Sequence, residues 1–135
     1  QDTGYGITVK SFFTSRIASF RYAFQGWHHV FRTQQNMWIH GGIATVVFFL
    51  ALWLRLPAHD WAMLVLTTAM VFAAEFMNTA IEAVVDLASP DKHPLAKIGK
   101  DVGAAAVLVA ALAAILIGLL ILGPPLWLKL ISLFS

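Results

Sequence analysis

Residues 103–122 read GAAAVLVAALAAILIGLLIL, with no charged side chain among them. About 20 apolar residues of helix cross a hydrocarbon core of about 30 Å. This stretch therefore reads as a membrane span, bounded at about 102–122 by Gly123-Pro124-Pro125. Two further apolar runs precede it, at about 38–56 and 61–87. Trp38, Trp53, Trp61 and Trp127 lie near run ends, where aromatic belts form. The whole chain agrees: of 135 residues, 59% are hydrophobic and only 12% charged, against nearer a quarter in a soluble domain. This composition excludes disorder and argues against an ordinary water-soluble domain. The absence of cysteine removes disulfides, thiolate zinc sites and a catalytic thiol.

The connection at 57–60 is so short that the first two runs form a tight helical hairpin. The connection at 88–101 is polar, basic and interrupted by Pro90 and Pro94. Leu95 and Ile98 suit a short helical turn on the membrane surface. Residues 11–33 carry Phe13, Ile17, Phe20, Phe24, Trp27 and Phe31 at three- and four-residue spacing, with Arg16, Arg21 and Arg32 among them. That pattern predicts an amphipathic helix lying in the interface plane. Residues 1–10 are polar and are expected to fray. The chain opens at Gln1 rather than Met, as a trimmed or partial chain would, with no apolar run of signal-peptide type.

Lysine and arginine concentrate in the N-terminal helix and in residues 88–101, so both are expected on the cytoplasmic side. Three spans then place 57–60 and the C-terminus outside, against which Lys129 stands alone. A net charge of +2 built from few charges fits a membrane surface better than nucleic acid. The expected architecture is an all-α integral membrane protein. It forms one domain over 1–135, with a surface helix and three spans, and the tail after Gly123 makes a short interfacial turn.

Both glutamates of the chain, Glu75 and Glu82, fall inside the second run. With Asn78 and Asp86 they occupy positions i, i+3, i+7 and i+11, within an arc of roughly 80° on one helix face. Three acids facing lipid would cost on the order of 10 kcal/mol. They must face protein, water or a cation. Three readings follow. Two carboxylates and an amide can hold Mg²⁺ together with substrate phosphates, while another carboxylate acts as general base and Lys100 neutralises phosphate charge. Intramembrane acids also carry ions or protons. Polar side chains also join helices within oligomers. No Walker A loop, kinase-type glycine loop or H-E-x-x-H helix is present to decide between them. The adjacent His28 and His29 point apart on a helix and suit an interface better than a metal.

The segment Glu75-Phe76-Met77-Asn78-Thr79-Ala80-Ile81-Glu82-Ala83-Val84-Val85-Asp86, followed by His93-Pro94-Leu95-Ala96-Lys97-Ile98-Gly99-Lys100-Asp101, resembles the signature of the bacterial membrane-integral diacylglycerol kinase and undecaprenol kinase family. The likeness extends over about residues 16–122. It implies a homotrimer in the bacterial inner membrane, with the N-terminus cytoplasmic, phosphorylating a lipid alcohol with ATP and Mg²⁺ at a site between subunits. By that resemblance Glu75 is the general base and Asn78 its neighbour in the catalytic cluster. Glu82 is a metal ligand. Asp86, His93, Lys100 and Asp101 lie at the nucleotide, with Lys100 at its phosphates. Arg16 is the nearest match to an N-terminal nucleotide-binding arginine. A second metal-binding glutamate of the family falls at Gln34, whose amide brings no charge, so weakened Mg²⁺ binding and activity are expected. Trp38 stands where a basic residue is common. The segments Gln35-Asn36-Met37-Trp38-Ile39-His40 and His93 to Ile98 resemble the undecaprenol kinase branch more than the diacylglycerol kinase branch.

Overall fold

The structure is a computed structural model and describes residues 9–134, with side chains from Arg16 to Leu133. The expectation for residues 1–10 lies outside the described residues except at Val9 and Lys10, which open a helix. The side chain of Phe13 lies outside them too.

Among the described residues four helices follow in order: α1 (Val9–Thr33), α2 (Gln35–Leu54), α3 (Ala58–Ala88) and α4 (Pro94–Phe134). They fall into two units, Gln1–Thr33 and Gln34–Ser135. In the first unit, α1 exposes Ile17, Phe20 and Phe24, and its Trp27 and Phe31 rings meet edge to face at 5.8 Å.

In the second unit, α2, α3 and α4 are each long and apolar enough to cross a membrane. At about 1.5 Å per residue, α2 matches a hydrocarbon core of about 30 Å, whereas α3 and α4 exceed it. Most large apolar side chains on these helices are exposed, among them Phe49, Val65, Leu108, Leu116 and Leu120. In water such a surface would aggregate; against lipid tails it costs nothing.

Helix α2 ends at Arg55, the one non-glycine residue with positive φ among those described (φ 56°, ψ 48°). Its N–H turns back to Leu52 O, and Leu56 N–H reaches Ala51 O at 3.2 Å, so the last turn's carbonyls are satisfied before the chain reverses. Pro57 then caps α3 in extended conformation (ψ 160°), and its carbonyl accepts from Asp60 and Trp61. Asp60 in the first turn complements the helix dipole. The reversal occupies residues 55–57 rather than 57–60, because Ala58 already belongs to α3.

Beside this hairpin lies the apolar core: Ala51, Leu64 and Leu122 are buried against Val47, Leu50, Leu54, Leu56, Trp61 and Ile121. The Phe48 and Trp61 rings meet edge to face at 5.3 Å.

Helix α4 differs from the sequence reading at both ends. It begins at Pro94, so the turn expected at Leu95 and Ile98 is the first part of α4, and Lys97, Lys100 and Asp101 belong to it as well. Pro94 suits a first-turn position, where its missing N–H is not needed. At the other end the helix continues through Pro124 and Pro125 to Phe134 instead of breaking. The two prolines lack the N–H groups that the carbonyls of Leu120 and Ile121 would receive, but their fixed φ is itself helical. The tail is therefore a continuation of α4, not a separate turn. Lys129 within it lies over the Trp53 ring, 5.6 Å from its centroid. That contact sets the isolated cation on an aromatic face at the hairpin end.

Candidate active site

The opposite end of the three-helix unit is polar. Glu75, Asn78 and Thr79 are buried on α3, with Glu75 only 1% exposed. The Thr79 hydroxyl is spent on the Glu75 carbonyl at 2.9 Å. The acids and the amide remain for other work.

Glu82 accepts two side-chain amides. Asn78 Nδ2 donates to Oε1 at 3.0 Å, and Gln34 Nε2 donates to Oε2 at 3.4 Å. The first bond follows from i,i+4 spacing on one helix. The second depends on the chain between α1 and α2: Gln34 is the N-cap of α2, extended (φ −103°, ψ 111°), and makes no side-chain capping bond. Its amide is thereby available to reach across to α3. Gln34 thus sits at the head of α2, not within the N-terminal helix.

Two buried oxygens, Glu75 Oε1 and Asn78 Oδ1, have no hydrogen-bond partner. Leaving such groups unpaired typically costs about 1–3 kcal/mol each, so a site that keeps them holds them for another purpose. Asn78 is also where α3 and α4 approach most tightly among the glycine positions. A Cβ built on Gly103 would stand 2.4 Å from Asn78 Oδ1. Only glycine fits at that point of α4 with Asn78 in place.

Across from Glu75, on α2, stands His40, with Nε2 3.6 Å from Glu75 Oε1. Counted back from Trp53 along α2, and forward from Trp61 along α3, both side chains lie about 20 Å from the hairpin. Antiparallel pairing brings them level.

One turn beyond Glu82, α3 reaches Asp86, which meets Lys100 of α4 at 2.5 Å. Lys97 pairs with Asp101 on α4 itself. An open basin of about 530 Å³ lies here, walled by Asp86, His93, Lys97, Lys100 and Asp101 among others. Four of the expected nucleotide residues are thus gathered at one place. Lys100 and Asp101 hold different partners, because successive helical positions point about 100° apart. His93 has a structural task as well. Its Nδ1 accepts the Leu95 N–H at 3.2 Å, capping α4. Arg16 lies on α1, in the other unit.

Among the described residues no three His, Asp or Glu side chains converge as a metal cage. Around Glu82 stand one carboxylate and two amides, whose N–H groups face it here and whose oxygens come round to a cation by rotation of the amide. That set suits a hard cation such as Mg²⁺, which binds through one or two carboxylates and completes its shell with phosphates and water. It does not suit a structural zinc site.

Sequence reasoning missed His40 and Gly103 as site residues. For His40 a signal existed: it is the one ionisable side chain between Trp38 and Leu54. For Gly103 no signal existed, since its importance lies in the approach of another helix.

Comparison with known proteins adds independent support. The profile of the prokaryotic diacylglycerol kinase family matches residues 21–122. A diacylglycerol kinase of Synechocystis sp. is 46% identical over 82% of this chain and 63% of its own length. An undecaprenol kinase of Bacillus subtilis is 39% identical over 80% of this chain and 88% of its own. A diacylglycerol kinase of Escherichia coli K12 is 31% identical over 77% and 85%. The chain spans under two thirds of the Synechocystis protein but most of the other two. With the profile covering the hairpin, the polar face of α3 and most of the apolar length of α4, the chain belongs to the prokaryotic diacylglycerol kinase family.

Proposed function

We propose that this chain transfers the γ-phosphate of ATP to the hydroxyl of a membrane lipid alcohol, with undecaprenol ahead of diacylglycerol as acceptor. The observation that carries the reading is that α3 holds a buried carboxylate, Glu75, whose Oε1 has no hydrogen-bond partner, and about three turns further on brings Asp86 to a basin walled by lysines. The lipid reaches such a site from the bilayer and ATP from water.

Glu75 takes the proton of the lipid hydroxyl. The hydroxyl oxygen forms the new bond to phosphorus while the bond to the bridging oxygen breaks, its electron pair leaving with ADP. Phosphoryl transfer asks chiefly for position and charge neutralisation. Asn78 fixes Glu82 by its hydrogen bond, and Glu82 with Gln34 would hold Mg²⁺, which supplies charge neutralisation at the phosphates. Lys100 exchanges Asp86 for a phosphate oxygen. Asp86, His93, Asp101 and Arg16 are assigned to the nucleotide on the resemblance of their positions. The preference for undecaprenol rests on Gln35 to His40 and on His93 to Ile98; the 46% identity to a diacylglycerol kinase weighs on the other side.

The assembly we propose is a homotrimer in the bacterial inner membrane, with α1 as an amphipathic helix on the cytoplasmic surface. Exposed helix faces and open polar groups support it, and the basic residues of α1 and of 88–101 support the orientation. The test is transfer of labelled phosphate from ATP to undecaprenol and diacylglycerol, side by side in lipid–detergent micelles with Mg²⁺. Label in either lipid, lost with Glu75→Gln, supports the kinase and ranks the acceptors. Absence of label in both with a folded chain returns the polar face to ion passage or helix pairing.

A further inference from the structure

An apolar groove of about 420 Å³ runs between α2, α3 and α4, lined by Ile43, Val47, Leu64, Val71, Ile115 and Leu119 among others. Apart from Thr67 and Thr68, the polar side chain in its wall is His40. Thr67 is already committed, its hydroxyl donating to the Met63 carbonyl at 2.6 Å. Glu75 is not part of that wall. His40 is the residue that touches both: its ring borders the groove, and its Nε2 lies 3.6 Å from Glu75 Oε1. Its side chain is 18% exposed, against 1% for Glu75. Glu75 Oε1 has no hydrogen-bond donor, and among the described residues His40 is the basic side chain within 4 Å of it.

We propose that His40 is the positioning residue of Glu75, a donor on α2 that orients the carboxylate at the inner end of the groove. The proposal rests on the kinase reading above. A donor to Oε1 fixes which way the carboxylate faces. The separation is only a little beyond a hydrogen bond, and such contacts in substrate-free sites commonly tighten when the reactants bind. In the transfer step His40 forms and breaks no covalent bond: the proton passes from the lipid hydroxyl to Glu75, and the imidazole N–H stays on its nitrogen. The position of His40 in the groove wall also places its ring beside the path by which a lipid chain would bring its hydroxyl.

The test separates a donor from a packing group. His40→Phe keeps a ring and removes the N–H; His40→Gln keeps an N–H and removes the ring. The expected result is a fall in kcat of about tenfold to a hundredfold for His40→Phe, with KM for ATP unmoved, and a kcat within about threefold of the parent for His40→Gln. A second measurement needs no turnover. In NMR spectra of the chain with isotope-labelled histidine, the signal lost in His40→Gln identifies the His40 ring. Its nitrogen shifts should move in Glu75→Gln, while those of His59 and His93 stay in place. Parent-like kcat in His40→Phe, equal losses in both folded variants, or a His40 signal indifferent to Glu75→Gln would each overturn the proposal. If the parent chain labels no lipid, the kinase reading falls and the catalytic role of His40 with it. A parent that labels lipid beside neutral His40 variants removes the positioning role alone.

Discussion

The two ends of the three-helix unit are built on opposite terms. At the hairpin end, Ala51, Leu64 and Leu122 bury apolar surface, the chain reversal satisfies its own carbonyls, and Lys129 is covered by Trp53. At the other end, Glu75 and Asn78 keep buried oxygens without partners, and Gly103 is pressed against the amide. The first end lowers the free energy of the fold. The second spends some of it. Loss of a side chain at the hairpin end should therefore cost stability, and loss at the polar end should cost activity with little or no loss of stability. A reversal of that division would mean that the polar stripe is helix glue.

The sharpest way to break the contrast is Glu75→Gln. Transfer of labelled phosphate should fall by about a hundredfold to ten-thousandfold, as for loss of a general base. The detergent-solubilised chain should unfold no sooner than the parent, because a neutral amide replaces a buried carboxylate whose Oε1 has no hydrogen-bond partner. At the other end, Trp61→Ala removes the ring packed on Phe48 and the apolar core. It should lower unfolding free energy by about 2 kcal/mol or more while each folded molecule keeps its transfer rate. Denaturation followed by tryptophan-independent circular dichroism, with activity normalised to folded protein, reads both.

Gly103→Ala probes the seam between the two helices. Its Cβ would stand 2.4 Å from Asn78 Oδ1, so the amide must move and its bond to Glu82 weakens. A rate loss of about tenfold, with about 1–3 kcal/mol of stability, is expected. A change that lowers stability alone would detach Asn78 from function.

Gln34→Glu tests the metal assignment. Beside Glu82 a second carboxylate repels when no cation is present and binds when one is. The Mg²⁺ concentration for half-maximal activity should fall several-fold, and the melting temperature should become dependent on Mg²⁺. An unchanged titration and an unresponsive melting temperature count against a metal at Gln34. The smallest effect belongs to Arg55→Gly at the reversal. The left-handed backbone there costs a residue with a Cβ about 1 kcal/mol, so the glycine variant should be slightly more stable, measured by the same denaturation.

Much of this was legible in the sequence because two periodicities are stark. Apolar length fixes three helices able to span a membrane, and the spacing of Glu75, Asn78, Glu82 and Asp86 fixes a polar face on one of them. Hydrophobicity and helical repeat are properties of single segments, so no partner is needed to read them. The resemblance to the family is what proposes a role for each position on that face. The continuation of α4 through Pro124 and Pro125 was not legible, because proline stops a helix only where its missing N–H or its ring cannot be accommodated.

What one segment of sequence cannot hold is the meeting of two. That Gln34 reaches Glu82, that Lys100 takes Asp86, and that Gly103 must be bare where Asn78 passes depend on how α2 and α4 pack against α3. The contact of His40 with Glu75, thirty-five residues on, arises only because the hairpin pairs the helices antiparallel and sets both side chains at one depth. Sequence determines which helices form and which face of each is polar. Tertiary packing decides which polar atoms find partners and which are left buried without them, because a pairing is a distance between residues far apart along the chain.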